Sequence, residues 1–184
     1  GKSFASGLDG VPVFVVSGLS KIAGLPQMKA AWIAVTGPEQ AQSLDRLEVI
    51  ADTFLSMNAP VQGAIPAWLA DRESIERQIL ARVTANLAEL DCQLKQVPAI
   101  ERLVCEGGWC AVLRIPALEP DEQTVLNLLE RGAWLHPGYF FGMPESGWLV
   151  VSLLGSPEEF STGLSRIVDY FRTHQAGNTT PIQL

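Results

Sequence analysis

The sequence predicts an α/β chain whose second half is α+β. Three observations carry that prediction. Two short apolar runs, 11–16 and 29–35, flank a lysine-bearing loop. A long helical pattern begins near Asp71 and stops before Pro98. Beyond it, short β-type runs alternate with segments that open on helix-start signals.

Pro12 to Val16 (PVFVV) is apolar, too short for an ordinary helix and bounded by Gly10 and Gly18, so it reads as a buried strand. The run 29–35 reads as the second strand. Gly37-Pro38-Glu39 opens a helix, with proline in the first turn and an acid beside the positive end of the dipole. Leu44, Leu47, Ile50, Ala51 and Phe54 then recur at helical spacing, until Met57-Asn58-Ala59-Pro60 breaks the pattern. A second short helix is expected over 60–70. The long helix carries Ile75, Ile79, Val83, Leu87, Leu90 and Leu94 as one apolar stripe, with Arg72, Glu76, Arg77, Arg82 and Glu89 between them. Strands follow near 101–105, 109–115 and 148–154. Helices follow near 121–131, opened by Pro120-Asp121, and near 157–172, opened by Ser156-Pro157-Glu158-Glu159. The tail 176–184 (AGNTTPIQL) has no periodicity and reads as mobile.

Composition sets limits on function. A hydrophobic content of 47% with five tryptophans excludes a disordered chain. A net charge of −7 argues against a nucleic-acid partner or an acidic membrane surface, which need clustered Lys and Arg. The longest uncharged stretch, 53–70, contains Asn58, Pro60, Gln62 and Pro66, which suit a turn and a short helix better than a bilayer. Cys92, Cys105 and Cys110 show no CxxC spacing, and His136 and His174 are far apart in sequence, so no metal site is expected. These features fit a reduced, cytoplasmic protein. Gly1-Lys2-Ser3 echoes the end of a phosphate-binding loop but lacks the upstream glycine and strand, and is discounted.

The most informative stretch is Ser17-Gly18-Leu19-Ser20-Lys21. A lysine at the exit of a strand sits where α/β sheets bind ligands. A lysine that attacks an aldehyde must be deprotonated, and burial beside another cation favours that form. Lys29, eight residues on, would supply the cation and a point charge for a phosphate.

Several segments, in order, resemble the class I/II aminotransferases, enzymes of fold type I that use pyridoxal 5'-phosphate (PLP). Ser17 to Trp32 (SGLSKIAGLPQMKAAW) resembles the cofactor-lysine loop and the strand after it. Glu106 to Pro116 (EGGWCAVLRIP) resembles a small-domain strand whose Gly-Gly-aromatic start faces the substrate. Gly132 to Phe141 (GAWLHPGYFF) and Trp148 to Leu154 (WLVVSLL) resemble the proline-glycine loop and the last strand.

The resemblance implies that Lys21 is catalytic and forms a Schiff base with PLP, with Ser20 and Lys29 also binding the cofactor. Lys29 stands where the family normally has arginine. Gly18 stands where many members have serine and tyrosine-aminotransferase-like members have glycine. Trp109 is the implied substrate contact, and Arg114 is the candidate substrate contact that would stand in for a family arginine missing here. The implied substrates are amino acids and 2-oxo acids. The implied assembly is a homodimer, with the loop Ser56 to Pro60 reaching the neighbouring subunit. In this reading 1–75 is the carboxy-terminal piece of the large cofactor domain with its edge strands. The long helix links it to 76–175, a small domain with an antiparallel sheet and flanking helices.

Two departures limit the resemblance. The family's last strand carries an arginine two residues before the serine, to grip the substrate α-carboxylate with a bidentate fork. Aligned on Ser152, this position is Val150. Arg114 on the neighbouring strand is the nearest substitute. The family's ring-pairing aspartate, stacking aromatic and glycine-rich phosphate turn lie upstream of its lysine and are not found here, and Asp9 does not sit in a matching context. The chain therefore reads as a fragment, inactive alone. A non-catalytic dimerisation or binding domain, or a PLP lyase or racemase, remain the alternative readings.

Overall fold

The computed structural model describes residue 6 and residues 10–177. Gly1-Lys2-Ser3, Asp9 and residues 178–184 of the tail lie outside the described residues. The chain divides into two compact units, Gly1–Ile79 and Leu80–Leu184.

The first unit opens with strand β1 (Val13–Gly18), a single helical turn α1 (Leu19–Ile22) and a 3-10 turn over Pro26–Met28. Strand β2 (Ala31–Thr36) then pairs antiparallel with β1, from Val13 opposite Thr36 to Gly18 opposite Ala31. Gly18 is required by close approach: a Cβ there would lie 2.7 Å from the carbonyl oxygen of Ala30. Two helices complete the unit, α2 (Gln40–Phe54) and α3 (Ala59–Ala70). Asn58 caps α3 by accepting a hydrogen bond from the Val61 N–H at 3.0 Å. The unit's core is small. Leu19, Ala23 and Ala30 are its buried members, and Trp32, Met57, Val61, Ile65 and Trp68 pack against them.

Two expectations for this unit are corrected. The run PVFVV is not a buried strand, because Phe14 and Val16 are exposed, as is Ile33 opposite Val16. In a two-stranded sheet alternate side chains share a face; on this one Val35, opposite Phe14, is buried while Phe14, Val16 and Ile33 stay exposed. The helix predicted from Pro38 starts at Gln40, with Glu39 left-handed (φ 58°) before it and no acid in its first turn. Its apolar stripe is only partly covered: Leu47 and Ala51 are half-buried, α2 has no fully buried residue, and Phe54 is 79% exposed.

Helix α4 (Arg72–Leu94) follows the predicted period, with the stripe from Ile75 to Leu94 buried or half-buried. Its residues from Leu80 onward belong to the second unit. That unit adds β3 (Glu101–Arg102), β4 (Cys110–Arg114), α5 (Asp121–Glu130), β5 (His136–Pro137), a 3-10 turn (Gly138–Phe141), β6 (Trp148–Ser152) and α6 (Pro157–Gly177). The four strands form one antiparallel sheet in the order β3-β4-β6-β5.

The alternating side-chain direction divides this sheet into two faces. Ala111, Leu113, Leu149 and Val151 join the main core with Leu90 and Leu94 of α4, Leu128 of α5 and Phe160, Leu164, Ile167, Val168 and Phe171 of α6. Cys110, Val112 and Arg114, with Trp148, Val150 and Ser152, take the other face. Helix α6 starts at the Ser156-Pro157-Glu158-Glu159 signal read from the sequence, with Ser156 as its cap. The Glu159 N–H donates to Ser156 Oγ at 3.3 Å, and the Ser156 hydroxyl donates to Glu159 Oε2 at 2.7 Å. Residues 176 and 177, expected in the mobile tail, are the last of α6.

Buried polar groups hold the ends of these elements. Asn86 of α4 donates to the carbonyls of Leu153 and Gly155, both at 2.9 Å. Asp121 is 4% exposed and accepts from the Gly147 N–H at 2.6 Å and from the Trp148 N–H at 3.2 Å. It thereby ties the start of α5 to the turn that delivers β6.

Candidate functional site

The lysine loop is pinned at both ends. Gly18 pairs with Ala31, and the Leu19 N–H donates to the Ala30 carbonyl at 3.0 Å. The eleven residues between Leu19 and Ala31 thus leave and re-enter the hairpin at one point. Lys21 follows the loop's start by two residues, and Lys29 ends the loop next to Ala30. Leu19 and Ala23 anchor the turn α1 in the small core, while Ser20 is half-buried and Lys21 is exposed. The burial expected around Lys21 is therefore not found, because α1 turns its apolar residues inward and its lysine outward. Lys29 is also exposed and caps the 3-10 turn in the left-handed region, φ 52°. That conformation costs a non-glycine residue about 1–2 kcal/mol. Between residues 10 and 38 these two lysines are the only charged side chains. The loop is thus a wholly cationic stretch of backbone closed by a strand pair.

In the second unit, Trp109 ends the turn Glu106–Trp109, and its carbonyl accepts from the Leu153 N–H at 2.8 Å. Trp109 is half-buried. Arg114 lies at the end of β4, exposed, directly opposite Trp148, and its guanidinium carbon is 5.5 Å from the centre of that indole. Its position in the ladder puts it on the same face as Val150, one step further along the sheet. Val150 is 1% exposed and stands outside the main core cluster. Its ladder neighbours are Val112 on β4 and His136 on β5. Sequence reasoning did not single out His136. Its strand is two residues long and is defined only by pairing with β6, so no local pattern announces it. The His136 ring lies 5.9 Å from that of Phe140 and 6.1 Å from that of Phe141.

Among the described residues, no group of three or more His, Cys, Asp or Glu side chains is placed to hold a metal ion. No helix among them is long and apolar enough to cross a membrane.

The hairpin with its lysine loop, followed by a long helix and an antiparallel α+β unit, defines a part of the PLP-dependent transferase fold. The chain belongs to the aminotransferase class I and II family, whose sequence model it matches over residues 3–167. It is 31% identical over 124 residues to the alanine aminotransferase of Mycobacterium tuberculosis (strain H37Rv). That match covers 61% of this chain and 28% of the relative. Alanine aminotransferase from Pyrococcus furiosus superimposes with a TM-score of 0.77 at 20% identity, covering 89% of this chain and 43% of that one. A PLP-dependent aminotransferase from Streptococcus suis superimposes with a TM-score of 0.75 at 23% identity, covering 87% and 42%. The chain thus spans less than half the length of these relatives.

Proposed function

We propose that this chain works as the carboxy-terminal portion of a PLP-dependent aminotransferase that exchanges amino groups between amino acids and 2-oxo acids. The observation that carries the reading is the lysine loop: two lysines and no carboxylate, closed at one point of a strand pair. The residues present suit the group. An aldehyde calls for a primary amine, and a phosphate calls for cations and donors. Lys21 supplies the amine bonded to the cofactor, and Lys29 and Ser20 supply a point charge and a hydroxyl. When bound, PLP provides the electron sink that stabilises charge at the substrate α-carbon. Lys21 Nζ, as a free amine, would accept the substrate α-proton and return it as a general acid. In the second unit, Arg114 is the proposed partner of the substrate α-carboxylate, and Trp109 a substrate contact on the turn before β4.

Lys29 gives the direct test of the cofactor assignment. In the whole protein that carries this chain, Lys29→Ala weakens PLP affinity by roughly tenfold or more, as expected for losing a hydrogen bond to a charged group. Lys29→Arg keeps affinity within a few-fold, because a phosphate accepts either cation. Equilibrium dialysis of PLP reads both. Equal affinity for the wild type and the alanine variant rejects the role of Lys29.

The proposed assembly is a homodimer in the cytoplasm, associating through the first unit. Phe14, Val16, Val49, Ile50, Phe54 and Leu55 of that unit are all about half exposed or more, and apolar surface of this kind drives association. Sedimentation velocity at micromolar concentration shows a dimer or larger species. A clean monomer overturns it.

A further inference from the structure

The pairing of β5 with β6 ends at His136 opposite Val150, and the chain before it, 132–135, lies outside the sheet. Between that segment, the end of β6 and the first half of α6 is a cavity of about 690 Å³. Small-molecule sites span about 300–1,000 Å³ and combine an apolar lining with a few placed polar groups. Phe160, Leu164 and Ile167, spaced i, i+4, i+7 on α6, are buried and give the cavity an apolar floor. One position back on the helix, Glu159, Gly163 and Arg166 repeat that spacing along the same cavity. Glycine is the poorest helix former after proline, and a Cβ at Gly163 would meet nothing within 4 Å, so no neighbour in the fold demands a glycine there. It leaves the helix face low where it lines the cavity. The segment 132–135 forms the other wall. Its Ala133 and Leu135 are buried, and Trp134 between them is 82% exposed.

The charges in the cavity are arranged by sign. At one end Arg166 Nη1 donates to the Gly132 carbonyl at 2.6 Å. Gly132 (φ +79°) permits that approach, since a Cβ there would lie 2.5 Å from the same nitrogen. The guanidinium is thus held in place with donors to spare, and among the described residues no carboxylate forms an ion pair with it. At the other end are Glu158 and Glu159, with Glu159 tied to the Ser156 hydroxyl. Seven residues of helix separate Glu159 from Arg166, roughly 10 Å along the axis.

We propose that this cavity is a second ligand site, for a monocarboxylate with a flat apolar body of the arylalkanoate class. The carboxylate takes the free donors of Arg166, as a planar guanidinium favours. The ring lies between Trp134 and the α6 face at Gly163, over the floor of Phe160 and Leu164, which covers an indole that the fold leaves in water. Glu158 and Glu159 repel a second negative charge, so dicarboxylates and phosphates are disfavoured. The site involves neither Lys21 nor Arg114 and goes beyond the aminotransferase reading.

The test uses the complete chain carrying Arg114→Ala, free of PLP, so that the substrate contact proposed above makes no contribution. Calorimetric titration with 3-phenylpropionate is expected to show one saturable site, and the melting temperature to rise with ligand concentration. Succinate, inorganic phosphate and 3-phenylpropylamine each bind at least tenfold more weakly. Arg166→Gln weakens 3-phenylpropionate roughly tenfold or more, the loss of a hydrogen bond between charged groups, and Arg166→Lys recovers part of it. Trp134→Ala weakens binding with an unchanged melting curve. Gly163→Leu fills the cavity and abolishes binding, while its melting temperature without ligand is no lower, because leucine is the better helix former. No saturable binding up to millimolar concentration, equal affinity for the amine, or an unchanged Kd in either Arg166→Gln or Gly163→Leu overturns the proposal. None of these readouts depends on the roles of Lys21 and Lys29.

Discussion

Replacing Lys21 with alanine abolishes covalent attachment of PLP in the whole protein that carries this chain, and removes transamination to the limit of detection. Two losses combine. The amine that bonds the cofactor aldehyde is gone, and so is the group that moves the α-proton, itself worth about 10²- to 10⁴-fold. Lys21→Arg fails in the same way, because a guanidinium stays protonated and cannot attack an aldehyde. The fold persists in both variants. Lys21 is exposed, and the turn α1 is anchored by Leu19 and Ala23. Borohydride reduction of the PLP-loaded wild type followed by peptide mapping places the label on Lys21. A label on Lys29 or any other lysine sinks the assignment, as does undiminished covalent loading of Lys21→Ala with an unchanged melting curve.

Arg114→Ala raises KM for amino-acid substrates by roughly 10- to 100-fold, the equivalent of losing one or two hydrogen bonds between charged groups. The argument starts from Val150. A buried valine offers no donor, and at 1% exposure no carboxylate reaches it. Arg114 is on the same sheet face and exposed, with its guanidinium resting on the Trp148 indole. A planar fork over an aromatic ring is pre-organised for a carboxylate. Truncating it forfeits an exposed cation–π contact of about 0.5–1 kcal/mol, too little to unfold the unit. Arg114→Lys recovers part of the affinity, with charge but no fork. An amine substrate without a carboxylate shows the same KM in wild type and Arg114→Ala, which separates carboxylate recognition from general damage. Unchanged KM for alanine, aspartate and tyrosine in Arg114→Ala shows that Val150 is no deficit and that Arg114 takes no part.

Much of the local structure was legible. The helix α4 stripe, the Ser156–Glu159 helix start and the Asn58–Pro60 break are short-range patterns, written within a few residues of where they act. The order of motifs around Lys21 was legible for the same reason. The misreadings have a common origin. PVFVV has the composition of a buried strand, but burial depends on what lies over each face, and the face that buries Val35 leaves Phe14 and Val16 exposed. The stripe of α2 has the right period, yet only Leu47 and Ala51 of it are half-buried, and Leu44, Ile50 and Phe54 are exposed. Gly37-Pro38-Glu39 has helix-start residues, yet the chain turns there with Glu39 left-handed and enters the helix at Gln40.

The sequence by itself determined the alternation of elements and the placement of two lysines in an otherwise uncharged segment. The tertiary structure alone decided which residues face one another. His136 beside Val150, Arg114 over Trp148 and the Asp121 carboxylate beneath the Gly147 and Trp148 amides each join residues brought together by strand register or by packing between elements. Register is a property of two segments at once, fixed by backbone hydrogen bonds and by which face must be buried. A single strand's composition states its preference for pairing but not its partner.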